Sequence, residues 1–504
     1  MKRTPARRQT FFSRRQRVTT AGATLGLLVL TAGCGTQLEE ERLAAVGNGY
    51  SAQVVPTLAP GQVPAGGEVA PVDPGLAAPL PGAAPDSGST GAVASGAPGS
   101  GAGAAAPVLG GSPGRTKPTG GAPAAQTAGG ACTEPRKPLV IGQTLATSGL
   151  IGSTTGYLRQ GMQMWAAAVN AAGGVQCHPV QVISLDDGSD SARVASNWNT
   201  LKARGMVAMV GAGEPITMGA LRAQAERDKI PVIGGDLVDT AWFESEWVFP
   251  QGAPTTASYD GSLVEAARAR TGAKTAGLIY CVEASICTAI KGNFPRSAET
   301  AGLGVGLMKA VSLTQSDFTA ECQAMKDAKV DVLWLALDGS GVTRLGRSCD
   351  RLGYKPQLAT MALAVPPAVA EDQVLRKATV YLASPTVPYS TTDTAGTAEF
   401  HAAAKRFAPS LKLDQSVMQG WSAGKLFEAA MAKVGDRARS GDVTTALILE
   451  GLWQLKSEKL GGLSPGVTFV KGKPASAPPC YYVLLLNANG VTAPLGSKLR
   501  CLKQ

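Results

Sequence analysis

LVIGQTLATSGLIGSTTGYLRQGMQMWAAAVNAAGGVQCHPVQVISLDDGSDSARVASNWNTLKARGMVAMVG, residues 139–211, decides the fold. LVIGQT is a short apolar run carrying Val and Ile, and a Gly/Ser/Thr loop follows it. Met162, Trp165, Ala166 and Val169 recur at helical spacing, and the pattern stops at Gly173-Gly174. VQVIS is a second strand, LDDGSD a turn, 191–202 a second helix and MVAMVG a third strand. Strand, helix, strand, helix, strand predicts a parallel sheet with crossover helices. Ligands of such sheets sit beyond the carboxyl ends of the strands. That singles out the loops at 147–155 and 212–217.

Downstream the same grammar continues. A helix at 217–227, the strand IPVIGG and a short strand at Val248-Phe249 complete a first unit. After a helix at 256–270 the alternation restarts: TAGLIY, helix 288–301, VGLMKAVSL, helix 316–328, VDVLWLAL, helix 341–352, QLATMAL. ATVYLASP is a further strand, helices follow at 395–407, 419–434 and 441–453, and CYYVLLLNANG is a last strand ending in a turn. Two α/β units in one chain leave a boundary between them, and pockets favour such boundaries.

The amino terminus has a different character. Lys2, Arg3, Arg7, Arg8, Arg14, Arg15 and Arg17 precede the apolar run AGATLGLLVLTAG and Cys34. A basic region, a short apolar core and small residues before a cleavage point predict a signal peptide over 1–33. The run is too short to span a bilayer comfortably. Thr31-Ala32-Gly33-Cys34 resembles a lipobox, with Thr where Leu is commoner, so Cys34 is the expected lipidation site and anchor to the membrane. Neither Arg pair is followed by the apolar residues usual in a twin-arginine signal. Residues 34–131 are mostly Gly, Ala, Pro and Ser, which cannot bury enough surface to order themselves, and are expected to form a tether. The chain carries a net charge of +10, but the basic leader accounts for most of it. No basic stripe remains to suggest a nucleic-acid partner.

Nine Cys are present. With Cys34 lipidated, eight remain for disulfides outside the cytoplasm. Eight allow on the order of a hundred pairings, of which joining sequence neighbours is the simplest: Cys132–Cys177, Cys281–Cys287, Cys322–Cys349 and Cys480–Cys501. Metal binding is the rival. There is no C-x-x-C, and His178 and His401 are the only histidines, so no metal and no cofactor is expected. Gly420-Trp421-Ser422-Ala423-Gly424 matches a nucleophile-elbow pattern, but no His follows Ser422 and the preceding segment is a poor strand. Gly211-Ala212-Gly213 lacks the third Gly of a dinucleotide fingerprint. The acidic run 186–190 does not match an EF-hand loop; it reads as a turn and helix cap, with Asp190 or Ser191 as the cap. No enzyme is expected.

The segments IGQTLATSGLIG, GMQMWAAAVNAAGGVQCHPVQVISLDD, MVAMVGAGEPIT and IPVIGG, in this order, resemble the type I periplasmic binding proteins of the leucine/isoleucine/valine-binding branch. The resemblance runs over about 137–489. It implies two Rossmann-like lobes with parallel sheets, joined by a three-crossover hinge: lobe 1 at 136–255 plus 385–470, lobe 2 at 256–384 plus 471–504. It implies an extracytoplasmic monomer that closes around a small ligand and serves the permease subunits of an ABC importer. The other reading is a sensor or adaptor lipoprotein of the cell envelope. By position, Ser148 and Gly149 match the first ligand loop. Glu214 and Thr217 fall in the second, and Asp236 in the third. Glu283, Asp338 and Ser340 stand at strand ends of lobe 2. Four carboxylates with no Arg in those loops point to a neutral or cationic, polar solute such as an amino acid or amide.

Overall fold

The computed structural model describes Cys132 and residues 135–502. The expected signal peptide, Cys34 and the tether lie outside the described residues.

The first sheet is built as the opening stretch dictates. β1 (Leu139–Leu145), β2 (Val180–Asp186), β3 (Ala208–Ala212), β4 (Val232–Gly235) and β5 (Val248–Phe249) pair in the order β2-β1-β3-β4-β5, all parallel. Between them run α1 (Gly152–Thr155), α2 (Tyr157–Ala171), α3 (Ser191–Ala203) and α4 (Met218–Asp228). On α2, Leu158, Met162 and Trp165 form the buried stripe. The Asp190 carboxylate caps α3 by accepting from the N–H groups of Ala192 and Arg193.

The chain then crosses into a second sheet through α5 (Thr255–Ala269), β6 (Thr275–Cys281), α6 (Ser285–Thr300), β7 (Gly304–Val311), α7 (Thr319–Asp327), β8 (Val332–Ala336), α8 (Gly339–Arg351), β9 (Gln357–Met361), α9 (Pro367–Ala370), α10 (Gln373–Ala378) and β10 (Val380–Ser384). It returns to the first unit as α11 (Ala395–Phe407), α12 (Gln415–Ser440) and α13 (Thr445–Trp453), and crosses a last time into β11 (Cys480–Asn487), β12 (Gly490–Thr492) and β13 (Arg500–Cys501). The second sheet runs β12-β11-β10-β9-β8-β6-β7, with β13 pairing β11. Its β6–β10 part is parallel, but β11 is antiparallel to β10, β12 and β13. The reversal follows from connectivity: β11 arrives from the first unit, with no crossover helix to fix a parallel sense.

Several boundaries differ from the sequence reading. Asp317 accepts from the N–H of Thr319 in the turn before α7, and the helix expected at 316 starts at Thr319. Asp414 caps α12, which therefore begins at Gln415 rather than 419. Residues 467–477 stay with the first unit, where Val467, Phe469, Ala475 and Ala477 join or pack against its core. The third crossing thus falls just before β11.

The first two connections touch each other. The N–H of Ala253 donates to the Pro385 carbonyl. Gln251 exchanges two hydrogen bonds with the Gly235 backbone, and its Nε2 reaches the Gln419 carbonyl. Four disulfides join Cys132–Cys177, Cys281–Cys287, Cys322–Cys349 and Cys480–Cys501. Among the described residues no helix is long and apolar enough to cross a membrane.

Ser422 lies inside α12, and its hydroxyl donates to the Met418 carbonyl one turn earlier. Its flanking glycines serve packing. A Cβ on Gly420 would stand 2.3 Å from the Leu158 carbonyl oxygen of α2, and one on Gly424 would stand 2.2 Å from the Trp165 ring. The G-x-S-x-G pattern is thus the seam between α12 and α2.

Candidate functional site

The strand-end loops of the first sheet are held by their own acids. Asp186, at the end of β2, accepts from the N–H groups of Thr147, Ser148 and Gly188 and from the Ser148 hydroxyl at 2.5 Å. Burial pushes this carboxyl up, but those bonds outweigh it and hold it well below the usual range. Gly149 sits at φ +74°, where a Cβ would meet the Gly188 carbonyl oxygen at 2.3 Å. That close approach of two loops requires glycine.

Behind this loop lies a buried cluster of Asp187, Glu214 and Thr217. The Thr217 hydroxyl contacts both carboxyl groups, at 3.2 Å for Asp187. One hydroxyl proton cannot serve two carboxylates. Burial, with Asp187 beside it, pushes Glu214 well up, so a protonated Glu214 can donate to Thr217, which donates to Asp187. Asp236 accepts from the Glu214 N–H at 2.6 Å and the Val238 N–H at 2.7 Å, and burial raises it to about 6. In the second sheet Glu283 accepts from the Ser312 hydroxyl and the Leu313 N–H, both at 2.7 Å; burial opposes these bonds but they win, and the group sits below its usual value. Asp338 caps α8 through the N–H groups of Ser340 and Gly341, and also accepts from the Ser340 hydroxyl.

Where the two units face each other there is a cavity of about 650 Å³, part of it open to solvent. The first unit supplies Ile151, Thr154, Ile216 and Val238. Most of the rest comes from the ends of β6, β8 and β9 and the start of α6, including Trp334, Met361, Leu363 and the Cys281–Cys287 disulfide. No Lys, Arg or His lines it. Of the eight residues singled out by position, Asp338 reaches this wall. Ser148, Gly149, Glu214, Thr217, Asp236, Glu283 and Ser340 lie outside the lining and frame the loops. Two hydrogen bonds join the units beside the cavity. The Gly339 N–H donates to the Thr154 hydroxyl oxygen at 3.1 Å, and the Tyr259 hydroxyl donates to the Val238 carbonyl. Tyr259 also meets Trp334 edge to face, centroids 5.3 Å apart. Trp421 is buried in the core of the first unit, away from the cavity. Among the described residues no group of three His, Cys, Asp or Glu is placed to hold a metal.

Residues 138–490 match the family model described as periplasmic binding protein. The chain belongs to that family. Solved structures with this fold include a fatty acid ABC transporter substrate-binding protein from Thermomonospora curvata, 18% identical, covering 73% of this chain and 92% of that one with a TM-score of 0.58. A solute-binding protein from R. palustris in complex with benzoate is 16% identical, covering 71% and 96%, TM-score 0.58. A branched-chain amino acid transporter substrate binding protein from Streptococcus pneumoniae in complex with isoleucine is 17% identical, covering 73% and 100%, TM-score 0.58. No curated protein matches the chain. Family membership implies a location outside the cytoplasm.

The positions that sequence reasoning missed are apolar neighbours of those it chose. Ile216 stands two residues from Glu214, and Val238 two from Asp236. Tyr259 carried no signal, because it enters from a helix of the other unit.

Proposed function

We propose that this protein captures a small solute with an apolar body between its two lobes and delivers it to the permease subunits of an ABC importer. The observation that carries the reading is the lining of the interlobe cavity. Walls from both lobes are apolar, and the one charged residue, Asp338, already accepts three hydrogen bonds. This departs from the expectation of a neutral or cationic, polar solute such as an amino acid or amide. An ammonium would lose its hydration and gain only an engaged carboxylate, and burying an ill-paired charge is costly. The fatty acid and benzoate proteins of the same fold support an apolar body, and the isoleucine complex bounds the smaller end. Solute contact with both lobes, across the Thr154–Gly339 and Tyr259–Val238 bonds, gives closure its driving force. Cys34 is the lipid anchor in this reading, with 34–131 as the tether that lets the lobes reach the permease.

The test is a thermal-shift panel on the full chain with benzoate, hexanoate, isoleucine, arginine, putrescine and glucose. A solute at a hundred times its Kd adds about 2.7 kcal/mol of stability. Benzoate or hexanoate is expected to raise the transition. A shift from arginine or putrescine alone refutes the apolar reading.

A further inference from the structure

The parts of the first lobe that wall the cavity share one root. Ile151 and Thr154 follow β1, Pro215 and Ile216 follow β3, and Val238 follows β4. Beside them lie Asp187, Glu214 and Thr217, all buried. Asp187 comes directly after β2, and its neighbour Asp186 ties down Thr147 and Ser148. Glu214 gives its N–H to one oxygen of Asp236, whose other oxygen holds the Val238 N–H. The cluster therefore joins the ends of β2, β3 and β4, the same strand ends from which the cavity wall is hung.

This cluster is short of protons. Thr217 stands at the amino end of α4, yet its hydroxyl makes no cap bond there and contacts the two acids instead. It brings one proton to two carboxyl oxygens, Asp187 Oδ2 and Glu214 Oε2. With both acids ionised, one of those contacts would set acceptor against acceptor. The remaining oxygens, Asp187 Oδ1 and Glu214 Oε1, are buried with no hydrogen-bond partner among the described residues. The surrounding elements bring no compensating cation. On α3, Arg193 lies against Gly188 and is exposed. On α4, Arg222 is paired with Glu226 and Glu244. The loop after β4 adds two more acids, Asp236 and Asp239, and β1 adds the Thr144 hydroxyl, which accepts from Asn197. One extra proton on the pair satisfies both contacts: one carboxyl donates to Thr217, and Thr217 donates to the other.

We infer that Asp187, Thr217 and Glu214 form a proton-linked latch of the solute site: the cluster holds one proton, and losing it spreads the loops that carry Pro215, Ile216 and Val238 and lets the solute go. The inference rests on the interlobe cavity being the solute site. Burial, with Asp187 beside it, pushes Glu214 well up, in the direction that keeps the proton. The latch is therefore whole at low pH and opens as pH rises. By linkage, the solute tightens the proton as much as the proton tightens the solute.

The test is calorimetric titration of the full chain with benzoate and with hexanoate from about pH 6 to 9, where both solutes stay ionised. Affinity falls about tenfold or more across that range, an ordinary size for coupling between two sites. Glu214→Gln sets a permanent amide donor against Thr217, and Asp187→Asn does so from the other side. Each flattens the profile. Asp414→Asn changes a buried acid outside the cavity lining and retains the slope. Without solute, the urea midpoint of Glu214→Gln gains on that of the wild type as pH rises. Binding that does not change with pH overturns the latch and leaves the interlobe reading standing. A slope that survives both amide variants, or that Asp236→Asn alone removes, also overturns the latch, as does a urea midpoint that tracks the wild type at every pH. Failure of both solutes to bind at every pH overturns both readings.

Discussion

The seam between α2 and α12 gives a prediction whose sign the structure decides. Gly420 is in mid-helix, where propensity alone favours alanine by about 1 kcal/mol. Its missing Cβ would stand 2.3 Å from the Leu158 carbonyl oxygen, 3.1 Å from the Met162 nitrogen and 3.2 Å from the Gly161 Cα. All three are backbone atoms of one helix, so no rotamer change relieves the contact. The helices must separate by roughly 1 Å to reach ordinary van der Waals distance. That loosens the packing of Trp165, Phe427 and Trp421 in the same core. Overpacking costs about 1–3 kcal/mol, and a backbone clash belongs at the upper end. The propensity gain offsets only part, so Gly420→Ala loses about 2 kcal/mol. With a urea m-value of about 3 kcal/mol/M or more for a chain this long, the midpoint falls by roughly half a molar. The assay is urea unfolding followed by tryptophan fluorescence, with Gly219→Ala as the opposite case. Gly219 is exposed on α4 with nothing near its Cβ position, so alanine there gains about 0.5–1 kcal/mol. If both variants raise the midpoint, the close approach of the helices is wrong.

Four further variants have expected outcomes. Asp414 is fully buried and raised by that burial from 3.8 to about 7. The folded state keeps a proton that the unfolded chain loses, so its contribution is full below about pH 4, shrinks as pH rises and is gone above about pH 7. Asp414→Asn keeps the cap on Val417 and flattens that slope, gaining about 2–4 kcal/mol on wild type between pH 4 and 8 in urea melts. Cys281→Ser/Cys287→Ser opens a six-residue separation and costs about 2 kcal/mol by loop closure. Because that disulfide lines the cavity, affinity for benzoate or hexanoate falls with it. Cys322→Ser/Cys349→Ser spans 27 residues and costs more, about 3–4 kcal/mol, yet leaves affinity nearly intact. Thr154→Val removes the acceptor of the Gly339 N–H and weakens solute binding by about 2–10-fold, equivalent to 0.5–1.5 kcal/mol, read by titration.

The first sheet was legible because burial on both faces leaves strands as continuous apolar runs, as in LVIGQT and MVAMVG. Helix starts were less so, since a cap such as Asp414 fixes them through a bond that periodicity does not register. The short helices α1, α9 and α10 have too few residues to show a period. The cavity opens at the carboxyl ends of the strands, beside two loops that the sequence singled out, but most of its lining carried no signal. A buried loop must find acceptors for its own N–H groups, and the nearest side chains able to serve are the conspicuous polar ones. Asp186, Asp236 and Glu283 each accept from two or more groups of their own or a neighbouring loop. A strand-end carboxylate therefore signals a loop that needs tying down as readily as a ligand that needs binding.

The same hydrogen bonds explain how so many acids can surround a cavity whose walls are mostly apolar. Glu214 is pushed well up by burial and by Asp187, which favours its neutral form and weakens its field. Asp236 is held at about 6 while its carboxyl engages two backbone N–H groups. Asp186 and Glu283 are ionised, but each is surrounded by donors whose dipoles oppose its charge. What lines the cavity is then mostly hydrocarbon, with the Asp338 carboxylate and the hydroxyl-bearing Thr154, Tyr259 and Thr360 among it. In the proposed reading the apolar body of the solute supplies the affinity, each buried methylene adding up to about 0.8 kcal/mol. In the proposed reading, selectivity against ammonium-bearing solutes comes from the charge that the cavity fails to satisfy, because an unpaired buried charge costs more than an apolar wall can return.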